Sequence, residues 1–129
     1  MEKKKVKWAW LKKFGYAFRG IYTSVREETS LVVHLVVAAI VLVTAAVLTN
    51  YSPLSPAEWA ILVFVIGTII GMELINTAVE NLVDVVSFKY NYNAKKIKDV
   101  SAAATLVLTI TAVAVGLIIF IPHIIELFK

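Results

Sequence analysis

Cysteine is absent from this chain, which excludes disulfides and any thiolate metal site. Charge is scarce: Asp, Glu, Lys and Arg make up 17% of the residues, where soluble domains carry about a quarter. Also missing are a Walker A loop, a kinase Gly-rich loop and an HRD catalytic loop, so nucleotide chemistry of the familiar soluble kinds has no footing here. The basic opening MEKKKVKWAWLKKFGYAFRG is not followed by a short apolar segment with a small-residue cleavage site, so a cleaved signal peptide is not expected. What remains is grease. The 129 residues are 60% hydrophobic with a mean hydropathy of +0.82, too apolar for a soluble fold of one domain's length. The net charge of +4 comes from basic residues that flank apolar runs, a placement that suits an anionic membrane surface better than nucleic acid.

Three runs are long enough to cross a bilayer, for which about 18 residues suffice. They are expected over residues 31–49, 58–86 and 100–121, the last ending at Pro122. Helix is the expected form despite the many Val and Ile residues, because backbone groups in lipid must pair within their own segment. Lys3, Lys4, Lys5, Lys7, Lys12, Lys13, Arg19 and Arg26 precede the first run, and Lys89, Lys95, Lys96 and Lys98 lie in the expected link 87–99. The link 49–58 has no basic residue. The positive-inside rule then places the N-terminus and the 87–99 link in the cytoplasm, and the 49–58 link and the C-terminus outside. Within residues 1–28, Leu11, Phe14, Phe18, Ile21 and Val25 recur at alternating spacings of three and four. That is one face of a basic amphipathic helix, suited to the headgroup plane.

The second run is interrupted by MELINTAVENLVD, residues 72–84. At 100° per residue Glu73, Asn76, Glu80 and Asp84 fall within about 80° of one another, a single polar seam on an apolar helix. Counting from Trp59 puts Glu73 about 21 Å along the span, within the inner leaflet, with Glu80 near the cytoplasmic boundary and Asp84 among headgroups. A carboxylate at bilayer depth costs about 2.5–3.5 kcal/mol, and a polar contact between membrane helices returns about 0.6 kcal/mol on average. Architecture alone does not offset that cost. At headgroup depth Asp84 has an alternative role as a merely solvated charge.

Clustered carboxylates call for a cation, and Mg²⁺ takes hard oxygen ligands while keeping room for substrate phosphates. Glu28, at the cytoplasmic mouth of the first run, is the candidate second ligand beside Glu80; its neighbour Glu27 suits a solvated charge. Lys95, Lys96 and Lys98 can meet phosphate, with Asp99 beside them, although topology alone would also account for the lysines. Glu73 is deeper, where a carboxylate withdrawn from water is a better base and where a lipid hydroxyl would lie. Together these residues suggest phosphoryl transfer from a cytosolic nucleotide to a membrane-embedded alcohol.

The stretch MELINTAVENLVDVV also resembles the E-x-x-N-[ST]-A-[IV]-E-x-x-x-D signature of the small prokaryotic diacylglycerol kinase and undecaprenol kinase family of integral membrane enzymes. KDVSAAA, FGYAFRGI and REETSLVVH fit in order and spacing, so the resemblance covers nearly the whole chain. It implies a surface helix plus three transmembrane helices, assembled as a homotrimer with sites shared between protomers. It implies that Glu73 is the general base on the lipid hydroxyl with Asn76 beside it. Glu28 and Glu80 would hold the Mg²⁺ of Mg·ATP, and Tyr16, Asn76, Asp84, Tyr90, Lys98 and Asp99 would line the nucleotide site. REETSLVVH and GLIIFIP are similar to the Gram-positive branch, which favours undecaprenol over diacylglycerol and a bacterial cell membrane as location. Two departures stand out. Ser30 replaces the usual Asn, which is expected to weaken support of the metal site, and Ala103 replaces a Gly often found in that branch. His34 is assigned no catalytic role.

Two other classes compete. An ion or proton translocator would also bury carboxylates, but it needs polar groups in both leaflets, and the outer halves offer only Thr44, Thr49, Thr109 and Thr111. A non-enzymatic membrane protein would leave the seam unexplained.

Overall fold

The computed structural model describes the backbone of residues 2–87 and 91–129, and side chains within those ranges from Trp10 onward. The described residues form four helices: α1 (Glu2–Glu27), α2 (Thr29–Leu48), α3 (Pro56–Val86) and α4 (Tyr92–Glu126). α2, α3 and α4 are each long and apolar enough to cross a membrane. α2, at 20 residues, spans about 30 Å, the thickness of the hydrocarbon core. α3 and α4, at 31 and 35 residues, exceed that thickness by about 15–20 Å and must project beyond it.

Local chemistry sets the boundaries. Glu28 alone separates α1 from α2: its backbone is extended (φ −113°, ψ 108°), which ends one helix and starts the next. α3 opens with a capping box, in which Ser55 accepts from the Glu58 amide while Glu58 accepts from the Ser55 amide, and Pro56 takes the first helical position where no N–H is needed. α4 starts earlier than the sequence suggests. Asn91 caps it by accepting from the Asn93 amide, and the following Ala, Lys and Ile residues are adequate helix formers with no breaker among them. The link therefore shrinks to residues 87–91. Lys95, Lys96, Lys98 and Asp99 stand on the first two turns of α4, not in a loop. At its far end α4 also runs through Pro122 to Glu126 instead of stopping. A proline near a helix end forfeits one backbone bond, and an apolar surrounding offers the chain no better way to pair the rest. Thr68, Thr109 and Thr111 each donate to the carbonyl four residues back, so they sit in apolar helices without an unpaired hydroxyl proton.

α3 packs chiefly against α4 and next against α2, as antiparallel neighbours; α1 touches α2 and α3. The apolar core lies at one end of this bundle. Ala45, Leu48, Leu54, Leu62 and Ile119 are buried there, with Val41, Trp59, Val115 and Phe120 against them. At the other end the buried set turns polar, with Glu73, Thr77 and Thr105 beside Leu31 and Ile69. No more than 17% of the most apolar window of any span is buried. Most of the apolar surface is thus left for lipid or for other copies.

The core end is also laced by polar side chains that the sequence alone did not single out. Buried Ser52 donates to Glu126 (2.5 Å) and meets His123 Nδ1 (2.7 Å), while His123 Nε2 meets Glu58 at 3.0 Å. This network ties the 49–55 link to the start of α3 and the end of α4. His123→Ala removes one hydrogen bond each from Ser52 and Glu58, which keep Glu126 and Ser55 as partners. At about 0.5–1.5 kcal/mol per bond, a lower unfolding temperature in detergent is expected, with little change in any chemistry at the opposite end.

Candidate active site

At the end away from the apolar core, α2, α3 and α4 each contribute polar residues one turn apart. Ser30 and His34 lie on α2, Glu73 and Thr77 on α3, and Thr105 and Thr109 on α4. Spacing of four puts each pair on one face. Ser30, His34 and Thr109 are drawn together at Glu73, which is 4% exposed. Ser30 Oγ donates to Glu73 Oε2 at 2.9 Å, and His34 Nδ1 lies 3.3 Å from Glu73 Oε1. The same His34 nitrogen is 3.0 Å from the Ser30 carbonyl, and Nε2 is 3.3 Å from Thr109 Oγ1. One carboxylate is therefore hydrogen-bonded at one oxygen and approached at the other by α2, and α2 is linked through His34 to α4.

Two expectations change. Ser30 supports the buried carboxylate of Glu73, where the sequence placed its influence on a metal site; the short hydroxyl reaches across to α3 because Ser30 faces that helix. Thr109 belongs to this cluster and not to the outer half, because α4 runs antiparallel to α3 and brings it level with His34. Ser30/His34 and Thr105/Thr109 were legible as polar pairs at helical spacing in apolar runs. Their convergence was not.

The rest of the seam runs outward from Glu73. Asn76 Nδ2 donates to Glu80 Oε1 at 2.8 Å, and both residues are half-buried. Asn76 Oδ1 and Thr105 Oγ1 are buried with no hydrogen-bond partner among the described residues. A native structure rarely leaves such atoms unpaired, since each costs about 1–3 kcal/mol, so they point to a group that binds there. Asp84 is exposed and pairs with Lys98 at 2.5 Å, joining the last turns of α3 to the first turns of α4. Lys95, Lys96 and Asp99 border an open cleft of about 310 Å³ with Tyr92 and Ala103. Glu28, half-buried at the α1–α2 break, makes no side-chain capping bond. Tyr16 is largely exposed on α1. Lys89 and Tyr90 lie outside the described residues. Among the described residues no three His, Asp or Glu side chains converge on a metal-sized site. A carboxylate beside an unpaired amide oxygen, Glu80 with Asn76, nevertheless offers the hard oxygen donors that Mg²⁺ prefers, with room for water and phosphate.

Toward the core end, an apolar groove of about 340 Å³ opens between α2, α3 and α4. Val41, Leu62, Ile66, Val115 and Phe120 are among its walls, and His34 and Thr109 stand at its polar end. The buried carboxylate of Glu73 thus lies behind His34, next to the polar end of this groove.

Residues 15–120 match the family model described as prokaryotic diacylglycerol kinase. The chain belongs to the prokaryotic diacylglycerol kinase family. Within that family it is 36% identical over 111 residues to an undecaprenol kinase of Bacillus subtilis, covering 86% of this chain and 87% of that protein. It is 30% identical over 115 residues to a diacylglycerol kinase of a Synechocystis strain, covering 88% of this chain and 63% of that protein. As a family member it is an all-helical protein with three helices fit to span a membrane.

Proposed function

We propose that this chain transfers the γ-phosphate of Mg·ATP to the hydroxyl of a membrane-embedded lipid alcohol, with undecaprenol the favoured acceptor and diacylglycerol the second. The observation that carries this is Glu73, buried, hydrogen-bonded to Ser30 and 3.3 Å from His34, which stands at the polar end of an apolar groove. A long isoprenoid chain fits such a groove, and its terminal hydroxyl would then meet the carboxylate. Membership of a lipid kinase family, and similarity to an undecaprenol kinase over most of both chains, support the same acceptor.

In this mechanism Glu73 takes the hydroxyl proton as the lipid oxygen bonds to the γ-phosphorus and the bond from that phosphorus to the β,γ-bridging oxygen breaks, leaving ADP. Phosphoryl transfer demands alignment and charge neutralisation more than covalent help from the protein. Ser30 and His34 supply alignment of the base. Glu28 and Glu80 would hold Mg²⁺ near Asn76; the ion, when bound, neutralises phosphate charge. Asp84, Lys98 and Asp99 on the projecting ends of α3 and α4, with Tyr16 and Tyr90, would meet the nucleotide.

The same reading sets the topology. Residues 1–28 lie in the headgroup plane, where the exposed Trp10, Leu11, Phe14 and Phe18 find an apolar bed. Residues 31–49, 58–86 and 100–121 cross the bacterial cell membrane with the N-terminus inside and the C-terminus outside. Three copies would share sites: the thin burial of every span leaves apolar faces to pair, and among the described residues one chain alone brings together too few donors to enclose a metal.

An ion pathway has one observation in its favour, the polar network of Ser52, Glu58, His123 and Glu126 at the far end. Between the two polar ends, however, the groove is lined by apolar residues apart from His34 and Thr109. A dry stretch is a barrier to ions and a seat for a lipid tail.

Labelled phosphate from Mg·ATP, offered side by side to undecaprenol and diacylglycerol in mixed micelles, tests the assignment. Label on undecaprenol in excess over diacylglycerol is expected. Label on neither lipid would remove the kinase assignment, and a preference for diacylglycerol would reverse the acceptor order.

A further inference from the structure

His34 stands at a junction that phosphoryl transfer alone does not require. Its Nδ1 faces two acceptors, the Ser30 carbonyl at 3.0 Å and the Glu73 carboxylate at 3.3 Å. Neither can give a proton, so Nδ1 must carry one. Nε2 faces the Thr109 hydroxyl oxygen at 3.3 Å, whose own proton goes to the Thr105 carbonyl at 3.0 Å. The ring is thus engaged on both sides, by α2 and α3 on one nitrogen and by α4 on the other. The ring is also part of the wall of the apolar groove. Among the described residues it is the one side chain that lies against Glu73, ties α2 to α4 and borders the space where an acceptor chain would lie.

We propose that His34 is the positioning residue for Glu73: its Nδ1–H fixes one carboxylate oxygen while Ser30 fixes the other, so that the remaining lone pairs point to the head of the groove. This rests on Glu73 acting as the base toward a lipid hydroxyl. The physical need is clear at this depth. Without donors, a carboxylate on a three-bond side chain in an apolar setting samples several rotamers, and a misplacement of about 1 Å in a reacting group can cost 10²-fold in rate. Each carboxylate oxygen has two lone pairs, so one bond from His34 and one from Ser30 still leave an acceptor site on each oxygen for the substrate proton.

The stereochemistry of replacement supplies the test. Asn at position 34 carries an amide N–H near the place of Nδ1; Gln carries it one bond farther out, near Nε2; Leu carries none. In the full chain in mixed micelles, His34→Leu is expected to lower kcat about 10²-fold while KM for Mg·ATP stays within twofold of the original. His34→Asn should recover most of that loss and His34→Gln little of it. In a Glu73→Gln background, His34→Leu should cost nothing further, since the group it positions is already gone. Wild-type kcat in His34→Leu would overturn the inference. So would equal rates for Asn and Leu, or a further 10²-fold loss in the Glu73→Gln background. A purely structural role would show as a lower unfolding temperature in step with the lost activity of all three variants, and would overturn it as well. Failure of the kinase assignment looks different: the unmodified chain would label no lipid alcohol at all, and both proposals would go.

Discussion

Glu73→Gln is expected to lower the turnover of lipid alcohol by about 10²–10⁴-fold, the range that a positioned general base supplies. Gln keeps the length of the side chain, and its carbonyl oxygen can still accept from Ser30 Oγ, which lies 2.9 Å from the native carboxylate. What it loses is the capacity to take a proton. KM for Mg·ATP should be unchanged, because the nucleotide is expected at the projecting ends of α3 and α4 and not at this depth. Stability should change little: a carboxylate at bilayer depth costs about 2.5–3.5 kcal/mol that a neutral amide escapes in part, while the amide NH₂ now faces the His34 Nδ1–H. Phosphate transfer and thermal unfolding measured on the same preparation separate the two effects. Full turnover in the variant would remove Glu73 as base.

Glu80→Gln should act on a different axis. Glu80 is half-buried and accepts from Asn76 Nδ2 at 2.8 Å, while Asn76 Oδ1 waits unpaired beside it. An amide at position 80 can still take that hydrogen bond, so the helix face should survive. Its neutral oxygen binds a divalent cation far less well. Even residues outside a metal's inner sphere cost about 10–100-fold in affinity when replaced, so a rise of at least that size in the Mg²⁺ concentration for half-maximal rate is expected. High Mg²⁺ should restore much of kcat, and chelation should silence both forms. Asp84→Asn is the useful contrast, since Asp84 is exposed and already paired with Lys98. A Mg²⁺ requirement that is unmoved in Glu80→Gln would take Glu80 out of the metal site.

The two variants probe opposite ends of one seam, and the division between them follows from depth. Glu73 is shut away from water and reaches only groups that lipid can bring. Glu80 and Asp84, about two and three turns farther along α3, are increasingly open. A single helix thus carries a proton acceptor for an oily substrate and oxygen donors for an aqueous one. Phosphoryl transfer between two phases needs that arrangement.

Run length and composition were enough to indicate three spanning helices, because an apolar backbone in lipid has few ways to pair itself. The acidic seam was equally plain, since a period of 3.6 residues is a local property of one helix. Boundaries that depend on capping were less so: Asn91 starts α4 ahead of the lysines, and Pro122 fails to end it. The roles of Ser30, His34 and Thr109 came only from the tertiary structure. Each is an unremarkable polar residue on its own helix, and what matters is that antiparallel packing sets three helices level at Glu73. The network of Ser52, Glu58, His123 and Glu126 was hidden for the same reason, its members being 65 to 74 residues apart along the chain. Sequence determines what each helix can offer, because periodicity and cost per residue are local. Which offers meet is decided by register between helices, and no single helix carries that information.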